Sequence, residues 1–491
     1  MALKILLIKV NILGRKEFDS LSKVCPPIGL CYIAASLLQI GANVKIIDMV
    51  AMAPSKKWEY SPTHYAFGIT IDELVDKVRD FCPDLIGIGG FTNQFGLIKR
   101  VVDALKSAFA FIPIILGGAC ATTLPKTVMK KMQVDYILRG ESDKSIVELV
   151  SNIVEGSTKK MNEVDGLGYR NGSDIIINKK KYFESSINSL PWPARELLDH
   201  KSYMDSDVAM PVITSRGCPG RCAFCCVQLS AGLKWRPRDP YDVVDEIEDL
   251  VSKWGYRTIS IFDDAANVNT ERLIKICQEI VNRNINVRIT FPGSLILRFV
   301  TKELLFWMKQ AGTVALSLPI EHANTYMRNQ VIKKGLKDEQ IDRVLFWCRE
   351  LHILTVAHFV IGMPGETEDS LKEIVQYVKD NASRLDAVSV YFATPFPSTE
   401  FYDTCIKKGL LKDEEFNDFL DFDTYTVHIK EYEDSEQVLI RYKKMINDTF
   451  MSVKGPDFPA DRIRCIMRKP DEDGLDYLHN IYFKEIACKN G

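Results

Sequence analysis

The chain has 491 residues, room for three domains at roughly 150 residues each. It is 46% hydrophobic and 26% charged, and 63 lysines and arginines nearly balance 65 aspartates and glutamates, for a net charge of −2. This composition supports an ordinary core and excludes dominant disorder; it offers neither a basic excess for a nucleic-acid partner nor an acidic solvating tail. The longest apolar runs, 112–116 and 356–361, fall far short of the ~20 residues a spanning helix needs. The N-terminus shows no secretory h-region with a cleavage site, so a cytoplasmic protein without a membrane span is expected.

The first ~155 residues alternate strand and helix. Strands are predicted over 4–10, 44–47, 85–88, 112–116 and 134–138, and helices over 28–40, 71–81, 95–109 and 142–155. The run 85–88 is wholly apolar between Pro83 and Gly89–Gly90, as in a strand buried on both faces. The pattern predicts a doubly wound, Rossmann-like α/β domain over 1–155. Residues 156–205 read as an interdomain linker, with a hairpin around Asn171–Gly172 and then Leu190-Pro-Trp-Pro-Ala194, where the prolines forbid regular structure.

From 206 to 405 the alternation resumes. Strands are predicted over 212–214, 258–262, 287–290, 313–318, 355–361 and 387–392. Helices lie between them, including 241–254 and a Thr301-capped helix over 302–310. Six βα units are fewer than the eight of a closed barrel, so a partial, open (β/α)6 barrel is expected. The region 406–491 is charged and aromatic, and reads as a small, mostly helical C-terminal region. Its Phe416, Phe419, Phe422, Tyr425 and Tyr432 are candidates to close a substrate side, with ordinary core as the other reading.

Thirteen cysteines are many for a reducing compartment. Nine are scattered, and these suit small buried hydrophobes. Four are clustered, in Arg216-Gly-Cys-Pro-Gly-Arg-Cys-Ala-Phe-Cys225 and the adjacent Cys226. A cluster of this kind reads as metal-binding or catalytic. Cys218, Cys222 and Cys225 stand at Cys-x3-Cys-x2-Cys spacing just after the first barrel strand. Three thiolates on one short loop can hold three irons of a cubane, leaving the fourth iron open, as a catalytic metal requires. The other metal reading is zinc, for which Cys226, His200 or His322 would have to supply a further ligand. Cys226 is otherwise a spectator thiol, or a redox or substrate-contacting one.

The three-cysteine spacing, the aromatic Phe224 before the last cysteine and the place in the βα series resemble the radical S-adenosylmethionine (SAM) superfamily. The resemblance implies a 4Fe–4S cluster held by Cys218, Cys222 and Cys225. SAM would be chelated on the open iron and cleaved reductively to a deoxyadenosyl radical. Later motifs extend it: Phe262-Asp-Asp264, the stretch Leu297–Gly312 containing Arg298, Leu318-Pro-Ile-Glu-His322, His358-Phe-Val-Ile-Gly-Met-Pro-Gly-Glu-Thr367 and Pro395-Phe-Pro-Ser-Thr399. By position the resemblance assigns SAM contacts to Phe224, Asp264, Ser294, Glu321, Ile361 and Gly362. Pro319, His322 and Ser398 depart from the family pattern.

In the first domain Gly-x-Gly-x-x-Gly is absent after the first strand, which argues against a dinucleotide. The loops Pro26-Pro-Ile-Gly29, Gly89-Gly-Phe-Thr-Asn93, Gly117-Gly-Ala-Cys120 and Arg139-Gly-Glu-Ser142 resemble the cobalamin-binding domain that precedes the radical domain in one class of these enzymes. That likeness implies corrin contacts from Ile28, Gly29, Gly89, Thr92, Asn93, Gly117, Gly118, Gly140 and Glu141. The Asp-x-His-x-x-Gly motif is absent and no histidine occurs before residue 64, so the cobalt is expected to lack a protein nitrogen ligand. The whole resembles a cobalamin-dependent radical SAM methyltransferase, acting on an unactivated carbon of a small-molecule or peptide substrate and served by a flavodoxin- or ferredoxin-type electron donor. The alternatives are the same architecture without net methyl transfer (cyclisation, ring rearrangement or oxidation) and a non-catalytic corrin- or metal-binding protein.

Overall fold

The computed structural model describes residues 2–16, 24–157, 160–206, 208–411, 418–420, 422–431, 434–460 and 463. Phe416, Tyr432, Cys465 and Cys488 lie outside them.

The N-terminal sheet carries five parallel strands, Asn43–Asp48, Lys4–Lys9, Leu85–Gly89, Ile114–Gly117 and Tyr136–Leu138, in that spatial order. In chain order this is 2-1-3-4-5, so the winding reverses between the first and third strands. A ligand-binding crevice opens at the carboxyl ends of the strands at such a point. Lys9 is in register with Gly89, and Gly89 with Gly117, which sets three strand ends level along that edge. The helices Ile28–Gln39, Ile71–Phe81, Phe95–Ala108 and Asp143–Val154 match the apolar spacing of the sequence. Thr70 closes a capping box with Glu73 at the start of the second of these.

The hairpin of the 156–205 stretch joins the N-terminal sheet. Leu167–Asn171 pairs antiparallel with Tyr136–Leu138 and with Asp174–Ile177, so that sheet has seven strands and extends to Ile177. Antiparallel addition needs only a tight turn, which Gly172 supplies at φ +60°. A three-stranded sheet of Ile12–Arg15, His64–Phe67 and Lys57–Glu59, and the short helices Gly118–Thr123 and Pro125–Lys131, were not evident from periodicity.

The second sheet has six strands, all parallel and in chain order: Met210–Val212, Thr258–Ile261, Arg288–Phe291, Thr313–Glu321, Leu354–Ile361 and Ala387–Phe392. First and last strands do not pair, which gives the open barrel. The residues Ile259, Ile261, Ile289, Phe291, Leu316, Leu318, Ala357 and Phe359 pack in one core with the helices Pro240–Ser252, Thr270–Asn282, Lys302–Gln310 and Asp338–Glu350. Alternation then turns Ser260, Thr290, Ser317 and His358 to the concave face. The C-terminal helix Ser435–Lys454 packs on Glu368–Asn381 and the last strand.

Phe419 and Phe422 are buried, but in the core of the N-terminal domain. Phe419 meets Phe95 edge-on at 5.3 Å, Gly96 N–H donates to the Asp418 carbonyl (3.2 Å) and Arg15 pairs with Asp423 (2.9 Å). The segment therefore straps the last barrel strand to the N-terminal domain. Tyr425 is exposed.

Candidate cofactor sites at the domain junction

The cysteine loop begins where Ser215–Arg216 pairs antiparallel with Arg236–Pro237. Gly217 then turns at φ +84°. Any side chain there is barred, since a Cβ would stand 2.4 Å from the Lys234 carbonyl oxygen. Asp264 accepts the Gly217 N–H (3.0 Å), so this strand-end acid props the loop. Burial raises its carboxyl to about 6. Its neighbour Asp263 is fully occupied, accepting from Thr214 N–H, Thr214 Oγ1 and Ser215 Oγ at 2.6 Å each.

Cys218, Cys222 and Cys225 are unpaired and partly exposed. The Gly220 N–H donates to Cys218 Sγ (3.4 Å) and the Val227 N–H to Cys225 Sγ (3.5 Å). Burial pushes all three thiols up, Cys225 to about 12. Such a set ionises when a cationic group binds it. Lys334 also lies near enough to favour the thiolates of Cys218 and Cys222. The donor set and its tight turns fit a cluster with one thiolate per iron.

The two histidines that a zinc site would draw on are engaged elsewhere. His200 stacks on Trp254 and uses both ring nitrogens, on Tyr256 and the Arg195 carbonyl. His322 accepts from Asn324 N–H at Nδ1 (2.9 Å), so its Nε2 carries the proton and donates to Glu366 (2.9 Å). Glu366 in turn accepts the Gly362 N–H (2.5 Å). The His322–Glu366 pair thus ties the end of the fourth barrel strand to the turn after the fifth. The sequence marked His322 as a departure and did not single out Glu366.

The other expected SAM contacts occupy different settings. Glu321 sits at the fourth strand's end at φ +68° and pairs with Lys334 (2.6 Å). That lysine was missed by the sequence reading because it lies past the motif. Ser294 is buried and donates to the Ile261 carbonyl (2.7 Å). Ile361 is buried, whereas Gly362 follows it at φ +91° with its backbone at the strand mouth. Phe224 packs at the edge of a small core with Ala223, Met327 and Met363.

In the first domain the structure divides the expected corrin residues. Gly29 and Gly118 are exposed, and Gly89, Asn93 and Gly117 partly so. A Cβ on Gly29 would meet nothing within 4 Å, and one on Gly117 nothing nearer than 4.0 Å. This is an open cradle that side chains would fill, and it fits a large flat group lying on backbone. Gly118, at φ +84°, is glycine for a different reason: its Cβ would lie 2.8 Å from the Gly90 carbonyl oxygen. Phe91, 65% exposed at the same edge, was not foreseen. Ile28 is buried, and Thr92 turns inward to Thr123 (3.0 Å). Cys120 is buried behind the strand ends, its thiol raised to about 12.

Gly140 and Glu141 face the second domain. Glu141 makes a two-pronged pair with Arg236 (2.7 Å on each prong) and its N–H donates to the Ser230 carbonyl (3.0 Å). Nearby, Asp143 grips Arg216 (2.7 and 3.1 Å), whose guanidinium lies 4.7 Å over the Tyr32 ring. Ser398, at φ +69°, donates to the Thr123 carbonyl (3.1 Å).

Residues 212–378 match the family model of the radical SAM superfamily, and residues 18–150 that of the B12 binding domain. An uncharacterized methyltransferase of Pyrococcus horikoshii is 25% identical over 79% of this chain and 80% of its own. An anaerobic magnesium-protoporphyrin IX monomethyl ester cyclase of Cereibacter sphaeroides is 27% identical over 71% of this chain, which spans only 58% of the cyclase. The cytidylyl-2-hydroxyethylphosphonate methyltransferase of Streptomyces wedmorensis is 23% identical over 79% of each. The fold is shared with the radical SAM methyltransferase TsrM of Kitasatospora setae, solved with cobalamin and a 4Fe–4S cluster (TM-score 0.66, 19% identity, 83% of this chain and 78% of that one). It is shared also with the cobalamin-dependent enzyme OxsB (TM-score 0.70, 15% identity, 99% and 75%). The cofactors of the two domains are a 4Fe–4S cluster with SAM and cobalamin, and no described helix is long and apolar enough to cross a membrane. The chain belongs to the radical SAM superfamily, as an enzyme whose radical SAM domain is preceded by a B12-binding domain.

Proposed function

We propose that this enzyme is a methyltransferase that places a methyl group on an unactivated carbon. The observation that carries the reading is the junction itself: the loop after the last parallel strand of the B12-binding domain is bonded directly to the hairpin that carries the cluster cysteines. When bound, the cluster with SAM supplies a radical able to remove hydrogen, and cobalamin supplies a transferable methyl group. The protein's own part is to hold and orient. Cys218, Cys222 and Cys225 hold the cluster and leave one iron without a protein ligand. Phe224 shields it. Asp264 fixes the loop through Gly217. Glu321, Ser294 and the backbone at Ile361 and Gly362 line the SAM side, and Gly29, Gly89, Asn93, Gly117 and Gly118 bed the corrin. The polar concave face of the barrel receives a small molecule or peptide, and a flavodoxin- or ferredoxin-type donor in the cytoplasm delivers the electron. Methyltransferases among the relatives support this reading.

The cyclase relatives favour a second reading, radical chemistry with no net methyl transfer. The two separate in one experiment. Anaerobic holoenzyme with reductant and methyl-labelled SAM is supplied with metabolite and peptide fractions, and deoxyadenosine formation identifies the active fraction. Label in the product is the expected result. A converted but unlabelled product alongside deoxyadenosine overturns methyl transfer.

A further inference from the structure

A set of hydrogen bonds and ion pairs, partly buried at its start and buried at Asp143–Arg216, runs from the corrin edge to the first cluster cysteine. In the Gly118–Thr123 helix, Thr122 Oγ1 donates to the Gly118 carbonyl (2.8 Å) and accepts the Gly140 N–H (2.9 Å). The next residue, Glu141, takes both prongs of Arg236. Arg236 is 2% exposed and also donates to the Ala231 carbonyl (2.6 Å) within the loop that follows the cysteines. Arg236 faces Arg216 across the short hairpin. Arg216 is gripped by Asp143 from below and by the Tyr32 ring, both in the B12-binding domain. One residue further, Asp264 holds the Gly217 N–H, and the Lys234 carbonyl leaves no room there for a side chain. Cys218 follows.

A corrin that needed only a backbone bed would not require Glu141 or Asp143. Their carboxylates are used up on the two arginines. Buried, two-pronged arginine–carboxylate pairs fix orientation as well as distance, and they are used where registry matters. We infer that Glu141 and Asp143 are positioning residues: acting through Arg236 and Arg216, they set where the cluster loop stands against the corrin edge and so couple the binding of cobalamin to the binding of SAM. A ligand that presses on Gly118 moves Gly140 and the Glu141–Arg236 pair, and the hairpin hands the displacement to Cys218. Coupling between sites is reciprocal, so SAM tightens or loosens cobalamin by the same factor. This inference rests on the two cofactors and not on methyl transfer.

The test is a binding cycle that needs no substrate. SAM affinity is measured by calorimetry on anaerobically reconstituted protein with the cluster oxidised, with and without hydroxocobalamin. The native chain is expected to show at least about a fivefold change in SAM affinity on adding cobalamin, the low end of ordinary coupling. The double variant Asp143→Asn/Glu141→Gln should show less than a twofold change. It should still load its full iron and bind each cofactor alone. Arg216→Lys, which keeps the charge and loses the fork, should lie between the two, and it replaces the double variant if that chain fails to load iron. Equal SAM affinity in the native chain with and without cobalamin overturns the inference, and so does native coupling retained in either variant. Methyl label appearing in product, or not, leaves this outcome unaffected.

Discussion

The cysteine loop and the carboxyl edge of the B12-binding sheet both hold a cofactor, and they do it with opposite materials. The loop offers side chains: three thiols at fixed spacing, braced by Asp264 and the bar on Gly217. The sheet edge offers almost none: open backbone at Gly29 and Gly117, and a close backbone approach at Gly118. A small cluster is bound covalently, through ligands that must be particular atoms. A broad macrocycle is bedded, and what matters is which atoms are missing. Substitutions should therefore act by removal in the first region and by addition in the second.

The largest effect is expected at the loop. Alanine at Cys218, Cys222 or Cys225 should abolish deoxyadenosine formation and leave the cluster unassembled, read by iron and sulfide content after anaerobic reconstitution. The three thiols form no disulfide and are only partly buried, with weak hydrogen bonds to two of them, so thermal unfolding of the metal-free chain should move little. A variant with full iron would break the first half of the comparison.

At the sheet edge two glycines of one dipeptide should behave differently. Gly118→Ala puts a Cβ 2.8 Å from the Gly90 carbonyl oxygen at φ +84°, and strain of this kind costs about 1–3 kcal/mol. It should lower the unfolding midpoint. Gly117→Val meets no backbone near its Cβ, so it should leave the midpoint nearly unchanged while weakening hydroxocobalamin binding, followed by visible absorbance. Unchanged cobalamin affinity in Gly117→Val would mean that the corrin does not lie on this edge.

How far the sequence carried the reading follows from the same contrast. Period-2 and helical apolar spacing mark buried elements, so both parallel sheets were legible, down to the Ile71–Phe81 helix and the last barrel strand Ala387–Phe392. The small sheet with Ile12–Arg15 at its edge was not legible, since its strands have three or four residues each, too short for a period to show. Cys218 and its partners were legible because spacing along the chain is the information a local loop uses. Lys334, Glu366 and the Arg236–Glu141 pair act across distances of 13 to 95 residues, and no local pattern reports such contacts. Glu141 carries a contact its motif did not announce: its carboxylate pairs with Arg236 of the other domain.

Between these extremes lies the His322–Glu366 pair at the barrel mouth. His322 is fully buried. Replacing it by alanine leaves a buried carboxylate short of one donor, a loss of about 1–3 kcal/mol, to be read by denaturant unfolding. Glutamine, whose amide can donate to Glu366, should recover part of it. Equal losses in the two variants would show that packing, and not the hydrogen bond, is what His322 contributes.

The smallest effect is expected at Ser398, where a side chain and a backbone preference oppose each other. Its φ of +69° is glycine-like, and Ser398→Gly relieves a cost of order 1 kcal/mol. The same change removes the bond from Oγ to the Thr123 carbonyl across the domain junction, which contributes about 0.5–1.5 kcal/mol. The two nearly cancel, so Ser398→Gly should unfold within about 0.5 kcal/mol of the native chain. Ser398→Ala keeps the strained backbone and loses the bond, so it should be the less stable of the two by about 1 kcal/mol. If alanine and glycine instead unfold together, the left-handed turn costs nothing here, and serine stands at this position for its grip on the B12-binding domain alone.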